Sequence, residues 1–160
     1  MSFFERTYGE INDLQFMNNE INNIFFINKI DNQDYIFYDF GSGYGKIINF
    51  FSKYYKKSVG IEIDKERFEK SLMYNKDNIE FYNINFFDQN IESSCVILIN
   101  NLCLGIGTNK RLSYKLLEEC KKNDMIILTK EMPALKKYYL YYKTMECSWG
   151  NSELYFYLIT

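Results

Sequence analysis

The sequence contains no histidine and a single proline, Pro133. Without imidazole, Ser-His-Asp triads, Cys-His nucleophile pairs, histidine-ligated zinc and histidine proton shuttles are all excluded. Cysteine is sparse: Cys95, Cys103, Cys120 and Cys147 show no CxxC spacing, and two of them sit in apolar runs. Neither a zinc knuckle nor a disulfide frame is expected, so a reducing, intracellular compartment (nucleus or cytoplasm) fits best and no metal site is expected. No stretch reaches the ~18 apolar residues that span a bilayer, and no basic segment precedes a hydrophobic one at the start, so neither a membrane nor secretion is indicated. Excess positive charge is also lacking: the formal net charge is -2. Broad nucleic-acid binding is therefore disfavoured, with Lys53, Lys56 and Lys57 as one local basic spot or, more simply, a solvated helix end.

What is present is the balance of one soluble domain: 160 residues, 47% hydrophobic and 25% charged. Ile11, Leu14, Met17, Ile21, Ile24 and Ile27 recur at three- and four-residue steps and predict an amphipathic helix over 11–29. An apolar run over 35–40, a glycine-rich turn and a helix carrying Ile47, Ile48, Phe51 and Tyr54 then open a βαβ unit. Further strands are expected over 58–63, 79–84, 95–100 and 125–128, with a helix over 65–74 and another, capped by Thr108, carrying Leu112, Leu116, Leu117 and Cys120. The aromatic-rich runs 138–145 and 153–159, separated by a turn around Trp149 to Ser152, predict a terminal β-hairpin. The expected fold is α/β: a mostly parallel, Rossmann-like, seven-stranded sheet with a C-terminal antiparallel hairpin and helices on both faces. Ligands of such sheets bind beyond the carboxyl ends of the strands. Residues 1–30 are expected to form a lid segment and helix, and 31–160 the main globular unit.

Asp39, Gly41, Gly43 and Gly45 fall at the carboxyl end of the first strand, where a ligand touches backbone at a helix start. The dinucleotide fingerprint requires a third glycine three positions after the second, and Lys46 stands there instead. NAD is disfavoured. A sulfonium cofactor, with no pyrophosphate and a cationic amino-acid end, suits a strand-end carboxylate such as Asp39. Glu62, seventeen residues after Gly45, closes the second strand, where a carboxylate accepts ribose hydroxyls. Asn85-Phe86 offers an amide and a ring to adenine at the third strand end, with Asp88 a competing polar contact or a helix cap.

With these residues in place, the chain resembles class I S-adenosylmethionine-dependent methyltransferases, and more narrowly the disruptor-of-telomeric-silencing (Dot) family of non-SET histone lysine methyltransferases. Tyr8-Gly9-Glu10 resembles the family's cofactor-covering loop, Asp39 through Gly45, Ser42 included, its Asp-Leu-Gly-Ser-Gly-x-Gly, and Gly60-Ile61-Glu62 its Gly-Val-Glu. Asn100-Asn101 resembles the Asn-Asn ending its fourth strand; Ser148-Trp149 and Tyr155 resemble residues of its terminal hairpin. Where the family has Asn-Asn-Phe-x-Phe, this chain has Leu102 and Leu104 in place of the aromatics. The resemblance implies S-adenosyl-L-methionine as cofactor, a lysine of a histone or nucleosome as substrate, Trp149, Tyr155, Leu102 and Leu104 as the amine channel, Asn100 directing an oxygen at cofactor or amine, and Tyr8 and Glu10 ordering a lid. The family's basic nucleosome-binding extension has no counterpart here, so direct nucleic-acid contact is expected to be weak or absent. Plainer roles stand beside these: Trp149 anchoring the hairpin, Asn100-Asn101 capping a strand end, and Tyr8 to Glu10 as an uncovered terminal segment. A methyltransferase of non-histone proteins or nucleic acid, or an inactive cofactor-binding module, is the competing class.

Overall fold

The computed structural model describes residues 11–160. In chain order the elements are α1 (Leu14–Ile27), β1 (Ile36–Phe40), α2 (Lys46–Phe51), β2 (Lys57–Ile61), α3 (Lys65–Ser71), β3 (Ile79–Tyr82), β4 (Cys95–Ile99), α4 (Ile106–Glu119), β5 (Met125–Leu128), β6 (Tyr139–Cys147) and β7 (Gly150–Leu158). The sheet runs β3-β2-β1-β4-β5-β7-β6. β1 to β5 are mutually parallel, and β7 is antiparallel to both β5 and β6. The strand order reverses between β1 and β4, which makes their carboxyl ends the crevice of the fold.

β1, β4 and β5 are buried along their whole length, as continuous apolar strands covered on both faces must be. Their side chains alternate between two cores. Phe37, Val96, Leu98 and Ile127 meet α1 and α2 through Met17, Ile21, Ile48 and Phe51. Tyr38, Ile97, Ile99 and Leu128 meet α4 through Leu112 and Leu116. Asp13 caps α1 by accepting from Phe16 N at 3.0 Å, and Asp64 caps α3 by accepting from Arg67 N at 2.9 Å.

Most element boundaries shift by up to three residues from the sequence expectation, and two of the differences bear on the site. α4 starts after Gly105, because Asn109 donates from Nδ2 to Leu104 O at 3.0 Å and from its backbone to Gly105 O at 2.9 Å, which leaves Thr108 inside the first turn. The hairpin turn is only Ser148-Trp149, with Cys147 already paired to Gly150, since Gly150 at φ +115° absorbs the reversal. Tyr155 pairs with Leu128 at the carboxyl end of β5, so residues 143–154 of the hairpin project past the carboxyl edge of the parallel sheet. This overhang holds the segment leading into α1, where Ile11 bridges to Cys147 and Asn12 N donates to Glu146 O at 3.3 Å, while from the body of β6 Tyr141 OH donates to Glu20 Oε2 within α1 at 2.6 Å.

Candidate active site

At the end of β1 the chain turns back over its neighbour: Gly41 N and Ser42 N both donate to Ile61 O, at 2.8 and 2.9 Å. The turn uses left-handed backbone at Gly41 (φ +89°) and Gly45 (φ +85°), and the two glycines differ in what surrounds them. A Cβ at Gly45 would stand 2.8 Å from Phe81 Cζ, whereas one at Gly41 would meet nothing within 4 Å. Gly45 therefore lets the turn close on β3, and Gly41 leaves open space for a ligand. Gly43 differs from both, since its N–H donates to Glu62 Oε1 at 2.8 Å, while Glu62 Oε2 accepts from Asp64 N at 2.9 Å. The buried Glu62 carboxylate thus clamps the glycine turn to the start of α3, and each oxygen keeps a second lone pair for a ligand hydroxyl.

Asp39 is buried, in register with Gly60, on the sheet face shared with Phe37. Burial first, and the Glu62 charge second, push its carboxyl up to about 8. At neutral pH it is largely protonated, and an approaching cationic group would draw it into its charged form.

Beside Gly41 and Glu62 opens a cavity of about 220 Å³ whose walls include Ile63, Asn85, Phe86 and Leu104. The Phe86 ring is held by near-parallel stacking on Phe40, with centroids 5.5 Å apart and planes 12° from parallel. Flat apolar walls, a glycine that admits backbone contact and a carboxylate with spare lone pairs fit a nucleoside: base against Phe86, ribose toward Glu62. Asn85 both lines the cavity and caps the short 3-10 turn Phe86–Asp88, its Oδ1 accepting from Phe87 N at 3.0 Å. The capping role weighed for Asp88 belongs to Asn85, and Asp88 is exposed.

The two asparagines after β4 divide their labour. Asn101 is buried, and its Oδ1 accepts from Thr129 N at 3.1 Å and Lys130 N at 2.9 Å. Its Nδ2 donates to Asn109 Oδ1 at 3.0 Å and to Lys130 O at 3.1 Å. Asn101 thereby joins the ends of β4 and β5 to α4. Asn100 is partly exposed, with Oδ1 accepting from Thr129 Oγ1 at 2.8 Å. Thr129 also accepts from Leu102 N at 3.1 Å. Sequence reasoning singled out neither Thr129 nor Asn109. For Thr129 the available signal was its place directly after the apolar run of β5; Asn109, within the first turns of α4, carried none.

Of the four residues expected to wall the amine channel, two follow β4 and two lie on the β6–β7 hairpin. Leu104 lines the nucleoside cavity, Leu102 is exposed, Tyr155 packs half-buried against Tyr139 and Tyr142, and Trp149, 37% exposed, sits on the projecting turn. Tyr8 and Glu10 lie outside the described residues.

The open, mostly parallel sheet with its order reversed between β1 and β4, and helices on both faces, is the Rossmann-like class I methyltransferase fold. Solved structures share it. An RNA methyltransferase from Salinibacter ruber, crystallised with S-adenosyl-L-homocysteine, superposes with a TM-score of 0.65 at 22% identity, over 88% of this chain and 90% of that one. The N-methyltransferase NodS from Bradyrhizobium japonicum gives 0.70 at 5% identity, over 92% and 97%.

Within that fold, the family model described as "Histone methylation protein DOT1" matches residues 1–147, and the chain belongs to that family. A Caenorhabditis elegans "Histone-lysine N-methyltransferase, H3 lysine-79 specific" is 28% identical over 197 aligned positions, covering 99% of this chain. The chain spans about a fifth, 20%, of the length of that relative.

Proposed function

We propose that this chain is a protein lysine N-methyltransferase that transfers a methyl group from S-adenosyl-L-methionine to a histone lysine, acting in the nucleus on histone or nucleosome. The observation that carries this reading is the Glu62-clamped glycine turn opening onto the Phe86-walled cavity, in a chain of the DOT1 family.

When bound, the cofactor supplies an electron-poor methyl on sulfur. The chain's own residues must hold the adenosine, exclude water, neutralise the incoming amine and align it. Phe86 and Glu62 hold the adenosine. Asp39, protonated at rest, supplies negative charge near the amino-acid end when a cation arrives. An apolar approach favours the neutral amine because desolvation penalises the ammonium form, so no strong base is needed. Trp149 and Tyr155 on the overhanging hairpin are suited to shape that approach. Thr129 fixes the Asn100 amide plane, and the spare lone pair on Asn100 Oδ1 can accept from an amine N–H.

Titration calorimetry with S-adenosyl-L-homocysteine tests the first half of the proposal. Glu62→Gln sets an NH₂ against one of two backbone donors and should weaken binding by ~1.5–3 kcal/mol. Unchanged affinity refutes the site. Labelled cofactor with nucleosomes, free histones and RNA, followed by mass spectrometry, tests the second half. Label in RNA, or in no histone lysine, refutes the substrate. Lys57 is in an ion pair with Glu80 at 3.4 Å, which reduces the local basic spot to Lys53 and Lys56. Activity should fall less steeply with salt than for an enzyme making ~6–10 phosphate contacts.

A further inference from the structure

A second cavity lies on the same edge of the sheet, between α4 and the loop that follows β5. It encloses about 300 Å³, and its lining includes Ile106, Asn109, Lys110, Lys130, Met132 and Pro133. That volume lies at the lower end of small-ligand sites, so it admits side chains of a segment and no folded surface. The cavity has no part in the nucleoside site.

We infer that this groove binds the segment of the protein substrate flanking the methylated lysine, seating one apolar side chain among Ile106, Met132 and Pro133 and one acidic side chain between Lys110 and Lys130. The inference rests on the methyltransferase reading and deepens it by giving the substrate a recognisable chemistry.

Three observations support it. The first is composition: Ile106 is 87% exposed at the lip, an aliphatic side chain left in water beside an apolar floor. The second is charge. Neither Lys110 nor Lys130 is in an ion pair among the described residues. The one carboxylate of the lining, Glu131, sits close enough to Tyr155 and Tyr157 for its charge to raise both phenols. Two cations against one carboxylate leave the groove positive, which selects an acidic occupant.

The third is continuity with the reaction site. Asn101 bonds to both walls of the groove, to Asn109 on α4 and to Lys130 on the loop, and it immediately follows Asn100. On the far side, Met132 N donates to Tyr157 OH at 2.9 Å, which ties the loop to β7 two residues from Tyr155. The groove is thus fastened at one end to the segment after β4 that carries Asn100 and at the other to the strand carrying Tyr155. A peptide lying in it runs alongside the place where the amine must arrive.

The test is a ¹⁵N–¹H NMR titration of the full chain with three probes: an acetylated Gly-Leu-Asp-Gly-Leu-Asp-Gly amide, the same peptide with Lys for Asp, and a short single-stranded DNA. The acidic peptide should shift the amides of Ile106, Lys110, Lys130 and Met132, and Lys110→Glu with Lys130→Glu should weaken it by about tenfold or more. Ile106→Asp should do the same; all three side chains are exposed, so the unperturbed remainder of the spectrum reports retained folding. Equal response to the lysine peptide or to DNA, or shifts confined to other surfaces, overturns the inference. In parallel, the double-lysine variant should raise KM for nucleosomes by a larger factor than it lowers kcat. If the unaltered chain methylates no histone, the functional reading fails, while the NMR titration still decides the groove.

Discussion

The two halves of the site are held together in different ways. On the β1-β2-β3 side, one carboxylate and one glycine turn do most of the holding, and the bonds run between short motifs: Gly43 N to Glu62, Asp64 N to Glu62, Gly41 N to Ile61 O. On the β4-β5-β7 side, side-chain amides and hydroxyls reach across the fold: Asn101 to Lys130, Thr129 to Asn100, Met132 to Tyr157. The first half is a backbone device stiffened by glycine. The second is a set of long-range clamps whose partners have no local relation in sequence.

If this contrast is right, the largest loss should come from the buried clamp. Asn101→Leu preserves volume but strands the Thr129 and Lys130 N–H groups, and should cost about 3–5 kcal/mol of stability in urea unfolding. A cost below ~1 kcal/mol would show that water satisfies those groups.

The glycine turn makes a finer test, because two residues with the same backbone sign should behave differently. Gly45→Ala forces a Cβ onto the Phe81 ring as well as strain at positive φ, for about 2–4 kcal/mol, whereas Gly41→Ala has only the strain, about 1–2 kcal/mol. Gly41→Ala should instead be felt in cofactor affinity. Equal destabilisation of the two variants would remove the distinction between a packing glycine and a ligand-facing one.

A pH series isolates Asp39. Its carboxyl is raised in the folded state to about 8, so between the ordinary carboxylate range and that value the folded chain holds a proton that the unfolded chain releases. Stability from this group is therefore greatest at acid pH and declines as pH rises through that window. Asp39→Asn should match the unaltered protein near pH 4 to 5 and exceed it by on the order of 2–4 kcal/mol near pH 8, as read from paired denaturant titrations. Parallel curves for the two proteins would place the proton elsewhere.

Trp149→Ala should have the smallest effect on stability, within ~1 kcal/mol for a part-exposed turn residue, and leave cofactor binding intact while methyl transfer is lost. Retained turnover in the folded variant would move the amine's approach away from the hairpin.

These differences also explain which parts were legible beforehand. The order of strands and helices followed from runs such as Cys95 to Ile99 and from the three-and-four spacing of α1, because burial on both faces or on one helix stripe writes its period into the chain. Asp39, the glycines and Glu62 were legible for the same reason: each sits at the end of an apolar run, where a parallel sheet presents its ligands. The start of α4 was misplaced because Thr108 has the chemistry of a cap, yet Asn109, one residue on, bonds back to Leu104 and Gly105 and begins the helix earlier.

By itself, then, the sequence determined the α/β class, the order of its strands and helices, and the placement of Asp39, the glycines and Glu62 at the carboxyl edge, all properties of local period and strand ends. Only the tertiary structure decided that Gly43 serves Glu62 while Gly41 faces the cavity, that Leu104 lines that same cavity, and that Asn101 joins both walls of the second groove. Each of those assignments depends on which distant atoms a side chain meets. Pairs separated by 28 or 29 residues, such as Asn101 with Thr129 and Lys130, leave no periodic trace in the chain.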